Sequence, residues 1–226
     1  EAARIAIQHM TPVIFLSDGY IANGSEPWKF PDAEHLHPIE VKFKTQLGEG
    51  EDKLQPYLRD ERGVRPWAIP GTPGLEHRIG GLEKQNITGN VSYDPENHQL
   101  MVKLRQEKVD KIAEHIPLQK LDSGPEKGKL LVLGWGSTYG SIKTAVASLQ
   151  QEGFAVSHAH IRYLRPFPRN LGHLIENFEQ VLIPELNNGQ LIKIIRDRFL
   201  VNAIPYNKIM GIPFTRRELV EKMREM

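Results

Sequence analysis

The sequence predicts an α/β protein: an open, mostly parallel sheet with helices on both faces, preceded by a long irregular N-terminal excursion. Three observations carry that prediction. From residue 129 to the end, short apolar runs alternate with longer amphipathic stretches, the pattern of parallel strands joined by right-handed helical crossovers. The runs are apolar throughout rather than at every second residue, as in strands covered on both faces. Between residues 19 and 93, by contrast, Pro and Gly interrupt every candidate periodicity.

At the N-terminus, Ala2, Ile5, Ala6 and His9 share a helical face, and Pro12 ends that helix. The run VIFLS, residues 13–17, reads as a short strand stopped by Asp18-Gly19. One helix and one strand cannot bury a core, so their partners are expected upstream of Glu1, in a larger protein. The excursion carries Trp28, Phe30, Phe43, Tyr57, Trp67 and Tyr93, too aromatic for a disordered tract. An ordered but irregular segment that packs on another surface is expected there.

Asp94 as N-cap and Pro95 at the first helical position open a helix that ends before Pro117. The stretch LDSGPEKGK, 121–129, reads as a linker. Strand 129–135 passes through Gly136-Ser137-Thr138 into helix 139–153. Strand 154–162, helix 169–178, strand 180–185 and helix 190–200 follow, then a short strand near 207–212. Thr215 and Glu218 have capping-box spacing at the start of the last helix.

Composition narrows the function classes. The 226 residues carry 29 Lys and Arg against 28 Asp and Glu, a net charge of +1. That balance gives no footprint for nucleic acid or for an anionic membrane. There is no cysteine, which removes disulfides, thiolate zinc sites, iron–sulfur ligation and a cysteine nucleophile from this chain. No apolar stretch approaches the roughly 20 residues that span a bilayer, and no secretory signal opens the chain. A soluble, cytoplasmic protein is expected.

Among candidate sites, the turn Gly134-Trp135-Gly136-Ser137-Thr138-Tyr139-Gly140 stands out. A strand feeding a Gly turn and a helix N-terminus offers N–H groups to an anion. Its G-x-G-x-x-x-G spacing departs from the dinucleotide fingerprint, and His158 and His160 stand where a ribose-binding acid would be expected. A tight turn that lets the helix pack on the sheet is the favoured reading. Ligands of open parallel sheets sit beyond the carboxyl ends of the strands. That edge would gather Ser137, Thr138, Arg162, Arg165, Arg169, Glu185, Asn187 and Asn188. The arginines could meet phosphates or a partner's carboxylates, or form a solvated rim. The pairs His35/His37 and His158/His160 have a spacing that metals use on a strand, without a third ligand at a useful spacing. Asp18, Glu26 and Asp32 are carboxylates in turn-rich sequence, where caps and turn formers are expected. No P-loop, H-E-x-x-H or G-x-S-x-G occurs.

The segments LSDGYIANGSEPWKFPD (16–32), WAIPGTPGLEHRIGGLE (67–83) and TGNVSYDPENHQLMVKLRQEKV (88–109) closely resemble alpha subunits of the 2-oxoglutarate:ferredoxin oxidoreductase family. The likeness continues through LVLGWGSTYG (131–140) and HIRYLRPFPRN (160–170) to the C-terminus. It implies an enzyme of the 2-oxoacid:acceptor type that uses thiamine diphosphate with Mg²⁺ and iron–sulfur clusters, decarboxylates 2-oxoglutarate, reduces ferredoxin and transfers succinyl to coenzyme A. Residues 1–18 would then be the tail of a pyrimidine-binding domain, 19–124 an irregular connection with a helix, and 125–226 a transketolase C-terminal-like domain. The resemblance carries no catalytic residue onto this chain. It places the cofactors on a beta subunit or on other domains, and leaves this chain with subunit and domain contacts. His77 and Arg78, in its most specific block, would line a connection, with turn-stabilising hydrogen bonding as the favoured role. Two other readings are kept. One is a nucleotide- or coenzyme A-binding module using Gly134, Gly136, Ser137, Thr138 and Arg165. The other is an interaction domain that forms a homodimer through aromatics around Trp28 and Trp67.

Overall fold

A computed structural model of the chain describes every residue except 37. The chain divides into two compact units, one of residues 1–15 and 27–115, the other of residues 16–26 and 116–226.

The first unit opens with α1 (Ala2–His9), as its apolar spacing predicts. The expected strand at 13–17 does not form. Those residues have no ladder partner among the described residues, and Ile14 and Phe15 are 84% and 80% exposed. An extended segment without a neighbour has no ladder to satisfy its backbone groups. A short helix, α2 (Gly19–Ala22), follows in the second unit, with Asp18 as its N-cap. The excursion then returns to the first unit and is ordered by isolated bridges, Phe43 with Trp67, Tyr57 with Ile87 and Lys84 with Val91. Leu54, Val64 and Leu75 of the excursion are buried, as are Met101 and Ile112 after it. Trp28 and Phe30, however, are exposed and touch each other rather than a core.

The long helix α3 (Pro95–Lys111) starts as predicted, the Asp94 carboxylate accepting from the Glu96 amide at 3.0 Å. Its buried Asn97 ties the excursion down. The Asn97 side chain accepts from the Asn86 amide at 2.9 Å and donates to the Lys84 carbonyl at 3.0 Å. The Lys84 ammonium, itself buried, donates to the carbonyls of Gly80 and Leu82.

The second unit is built on a five-stranded sheet: β1 (Leu121–Ser123), β2 (Gly128–Trp135), β3 (Val156–Ile161), β4 (Phe178–Glu185) and β5 (Ile204–Asn207), in the order β1-β3-β2-β4-β5. All neighbours are parallel except the edge strand β1, which runs antiparallel to β3. Helices α4 (Tyr139–Gln151) and α7 (Arg216–Arg224) cover one face, while α5 (Leu171–Glu176) and α6 (Gln190–Phe199) cover the other. Leu130, Val132 and Leu182 point to the first face, and Leu131, Leu133, Val181 and Ile183 to the second. Period-2 alternation between two apolar layers is why the strands read as unbroken apolar runs.

Two boundaries differ from the sequence reading. The 121–129 linker contains β1, a strand only three residues long. The last strand lies at 204–207 rather than 207–212, and pairs Leu182 with Ile204 through Glu185 with Asn207. Pro205 hides it from periodicity, and an edge position tolerates its missing donor. The Thr215 capping box is present, Thr215 and Glu218 each accepting from the other's amide, at 3.2 and 2.7 Å.

Gly134, near the end of β2, is where sheet and helix come closest. A Cβ there would stand 2.5 Å from Ile142 Cδ1 and 3.2 Å from His160 Nδ1 and Thr138 Oγ1. Ile142 is fully buried, in an interior packed closely enough that a displaced side chain must push on its neighbours. Gly134→Ala is therefore expected to destabilise the chain by about 1–3 kcal/mol through overpacking, read as a lower urea midpoint at unchanged slope.

Candidate functional site

Strands β2 to β5 are parallel, so their carboxyl ends, at Trp135, Ile161, Glu185 and Asn207, form one edge of the sheet. The dominant feature there is Glu185, whose side chain is wholly buried. Its Oε1 accepts from Trp135 Nε1 at 3.2 Å, Asn187 Nδ2 at 3.1 Å and the Leu191 amide at 2.8 Å. Its Oε2 accepts from the Ile192 amide at 3.1 Å. The N-cap of α6 is Gly189, at φ +75°, which has no side chain to satisfy the first-turn amides. Glu185 supplies that cap from the preceding strand, and its negative charge meets the positive end of the helix.

The glycine turn sits beside it. Gly136 to Thr138 form a 3₁₀ turn, with Gly136 exposed at φ +59°. Its hydroxyls are engaged within the unit. Thr138 Oγ1 donates to the Trp135 carbonyl at 2.8 Å, and Ser137 Oγ donates to the Asp18 carboxylate. Asp18 also accepts from the Tyr20 amide at 2.8 Å, so one carboxylate joins the turn to the α2 cap. Arg162, Arg165 and Arg169 are exposed in and around the loop after β3, and Asn188 is exposed after β4.

His158 and His160 sit on β3 facing α4, opposite Val132 and Gly134 of β2. The Tyr139 ring lies 5.6 and 4.9 Å from theirs. Neither nitrogen of fully buried His158 has a hydrogen-bond partner, nor has His160 Nδ1. Burial pushes His158 down to about 4, with His160 and Lys143 adding to the shift and Asp122 opposing it. His160 is lowered by burial too. Among the described residues no three His, Cys, Asp or Glu side chains converge on a cation position. Of the other histidine pair, His35 is exposed and His37 lies outside the described residues.

The remaining candidates are turn formers. Asp32 accepts from the Glu34 amide at 3.0 Å, and Glu26 is exposed. His77 Nδ1 bonds the Leu75 carbonyl at 2.9 Å within its own turn, and Arg78 is exposed. Sequence reasoning missed the Glu185 cap, although a Glu ending an apolar strand before N-N-G is a local signal for it. The Asp18–Ser137 contact joins residues 119 apart and has no local signal.

Residues 128–216 match the family described as pyruvate:ferredoxin oxidoreductase core domain II. The chain is 50% identical over 220 residues to the 2-oxoglutarate oxidoreductase subunit KorA of Mycobacterium tuberculosis, covering 97% of this chain and 33% of that protein. It is 28% identical over 230 residues to the 2-oxoacid:ferredoxin oxidoreductase subunit alpha of Saccharolobus solfataricus, covering 99% of this chain and 36% of that one. In structure it is similar to the 2-oxoglutarate:ferredoxin oxidoreductase from Magnetococcus marinus, solved with 2-oxoglutarate, coenzyme A and succinyl-CoA bound. The TM-score is 0.88 at 29% identity, over 98% of this chain and 38% of that chain. This chain thus spans about a third of the length of these curated relatives.

The buried histidine has a measurable consequence. His158 is held neutral in the folded chain but takes up a proton in the unfolded chain below its ordinary value of 6.5. Its contribution to stability is therefore full above pH 6.5 and is lost as the pH falls toward about 4. Urea unfolding at pH 7 and pH 5 should show the parent chain losing on the order of 2 kcal/mol more than His158→Gln over that interval. Equal losses would contradict the assignment.

Proposed function

We propose, from the premise that this chain belongs to the alpha-subunit family of the 2-oxoacid:ferredoxin oxidoreductases, that it is a C-terminal portion of such a subunit. The assembled enzyme would convert 2-oxoglutarate and coenzyme A to succinyl-CoA and CO₂, passing the two electrons released to ferredoxin. The observation that supports this most is the 50% identity to a 2-oxoglutarate oxidoreductase subunit across nearly the whole chain. The choice of 2-oxoglutarate over another 2-oxoacid rests on that relative and on the ligands of the Magnetococcus marinus enzyme.

Within that enzyme this chain acts as scaffold and contact surface. Its own residues do not fit a redox or thiamine centre. It has no cysteine for a cluster, and among the described residues no acidic or histidine group of three gathers to hold Mg²⁺. We assign thiamine diphosphate, Mg²⁺ and the iron–sulfur cluster to a beta subunit or to other domains, and ferredoxin to the whole assembly. Residues 1–18 belong in this reading to a pyrimidine-binding domain, and 125–226 to a transketolase C-terminal-like domain. A cytoplasmic location goes with it; among the described residues no helix is long and apolar enough to cross a membrane. A free-standing nucleotide module built on the 134–140 turn is not favoured, because the Ser137 and Thr138 hydroxyls already have partners.

The chain alone, given 2-oxoglutarate, coenzyme A and a viologen acceptor, should give no acceptor reduction above the protein-free rate. Turnover by the chain alone would overturn the scaffold role. The complete alpha subunit with its beta subunit should use 2-oxoglutarate in preference to pyruvate, and the reverse preference would overturn the substrate.

A further inference from the structure

The first unit contains a small cavity whose charged lining is entirely positive. It measures about 180 Å³ and is lined by Tyr57, Arg59, Arg65, Met101, Arg105 and Lys108. Met101, Arg105 and Lys108 follow one another at i, i+4 and i+7, so one face of α3 forms a wall. The opposite wall comes from the irregular segment 57–65. There the Arg65 guanidinium lies 4.5 Å from the centre of the Tyr57 ring and that of Arg59 lies 5.5 Å from it. One aromatic ring thus carries two guanidinium groups.

Four cations drawn together repel one another, and proteins normally place carboxylates among them. Here the compensation is sparse. Arg105 reaches Glu83 at 3.3 Å, and Glu83 is shared with His98 at 2.7 Å. Arg59 donates to neutral groups, the Tyr57 carbonyl, Asn86 Oδ1 and Met101 Sδ. Lys108 donates to the Met10 carbonyl at 2.7 Å. Among the described residues Arg65 has no carboxylate within ion-pair distance. Burial, with the neighbouring guanidinium groups adding to it, depresses both the Lys108 ammonium and the Arg59 guanidinium below their ordinary values. With one shared carboxylate among four cations, the cavity carries an excess of positive charge that an oxyanion would neutralise.

We propose that this cavity is an anion site for a doubly charged oxyanion of phosphate size, held chiefly by the Arg65 and Arg105 guanidinium groups. The planar forks of Arg suit the oxygens of a phosphate, and an excess of several positive charges favours a dianion over a monocarboxylate. The phosphate is either the free ion or that of a small monoester. A cavity of this volume takes such a group and leaves little room for a macromolecular segment. The site lies wholly within the first unit and does not depend on the oxidoreductase reading.

Calorimetric titration of the 226-residue chain at low ionic strength tests it, with inorganic phosphate in one arm and glycerol 3-phosphate in the other. Both should compete for one saturable site per chain. Tighter binding of the ester assigns a phosphomonoester as the natural occupant, and tighter or equal binding of phosphate assigns the free ion. Arg65→Gln should weaken binding at least about tenfold and Arg105→Gln severalfold, charge-assisted bonds being the strong ones. Arg217→Gln, an exposed position in α7, should leave it unchanged. If Arg65→Gln fails to fold, Arg105→Gln carries the test. No saturable binding by the parent chain, or unchanged affinity in the folded Gln variants, would overturn the proposal.

Discussion

The second unit depends on one buried carboxylate. Glu185 ends β4, and in a single side chain it joins the indole at the end of β2, the Asn187 turn and the first amides of α6. A buried charge is costly unless it is fully hydrogen-bonded. Here four donors surround it, and the two of them that are first-turn amides of α6 would themselves be unsatisfied without it. The charge and the uncapped helix each remove the other's penalty. From that point the arrangement of the carboxyl edge follows. Trp135 is oriented by its bond to Glu185, the Gly136–Thr138 turn leaves β2 next to it, and the Ser137 hydroxyl reaches back to Asp18. At the place where open sheets usually bind ligands, the polar groups of Trp135, Ser137, Thr138 and Glu185 are hydrogen-bonded within this chain.

The first unit is held differently. It has almost no ladder, and its order comes from side chains that reach backbone groups. Asn97 and Lys84 clamp the excursion against the start of α3. Such a segment can carry unusual chemistry because no sheet pattern restricts which residues face inward. The cationic cavity around Tyr57 uses that freedom.

How much of this was legible in the sequence follows from which interactions are local. Strand–helix alternation, the Asp94 cap with Pro95 and the Thr215 capping box are local patterns, and each appears where its residues place it. β1 was not legible because three residues carry no periodicity, and β5 because Pro205 and Tyr206 interrupt its apolar pattern. The apolar run at 13–16 has strand composition but no ladder partner among the described residues, since composition does not specify pairing. The carboxyl edge was legible as a place but not as an arrangement. By position Glu185 falls among the ligand candidates of that edge, whereas its carboxylate faces donors of its own chain. Likewise, Arg59 and Arg65 lie some forty residues from Arg105 and Lys108, and nothing in either segment announces the other.

Site-resolved amide hydrogen exchange tests the central role of Glu185 most directly. First-turn amides of a helix ordinarily lack partners and exchange quickly. If the buried carboxylate caps α6, the Leu191 and Ile192 amides should be protected to the same degree as those of the interior strand β4, such as Leu182. Exchange of Leu191 and Ile192 at the rate of unprotected first-turn amides, with β4 still protected, would contradict the account.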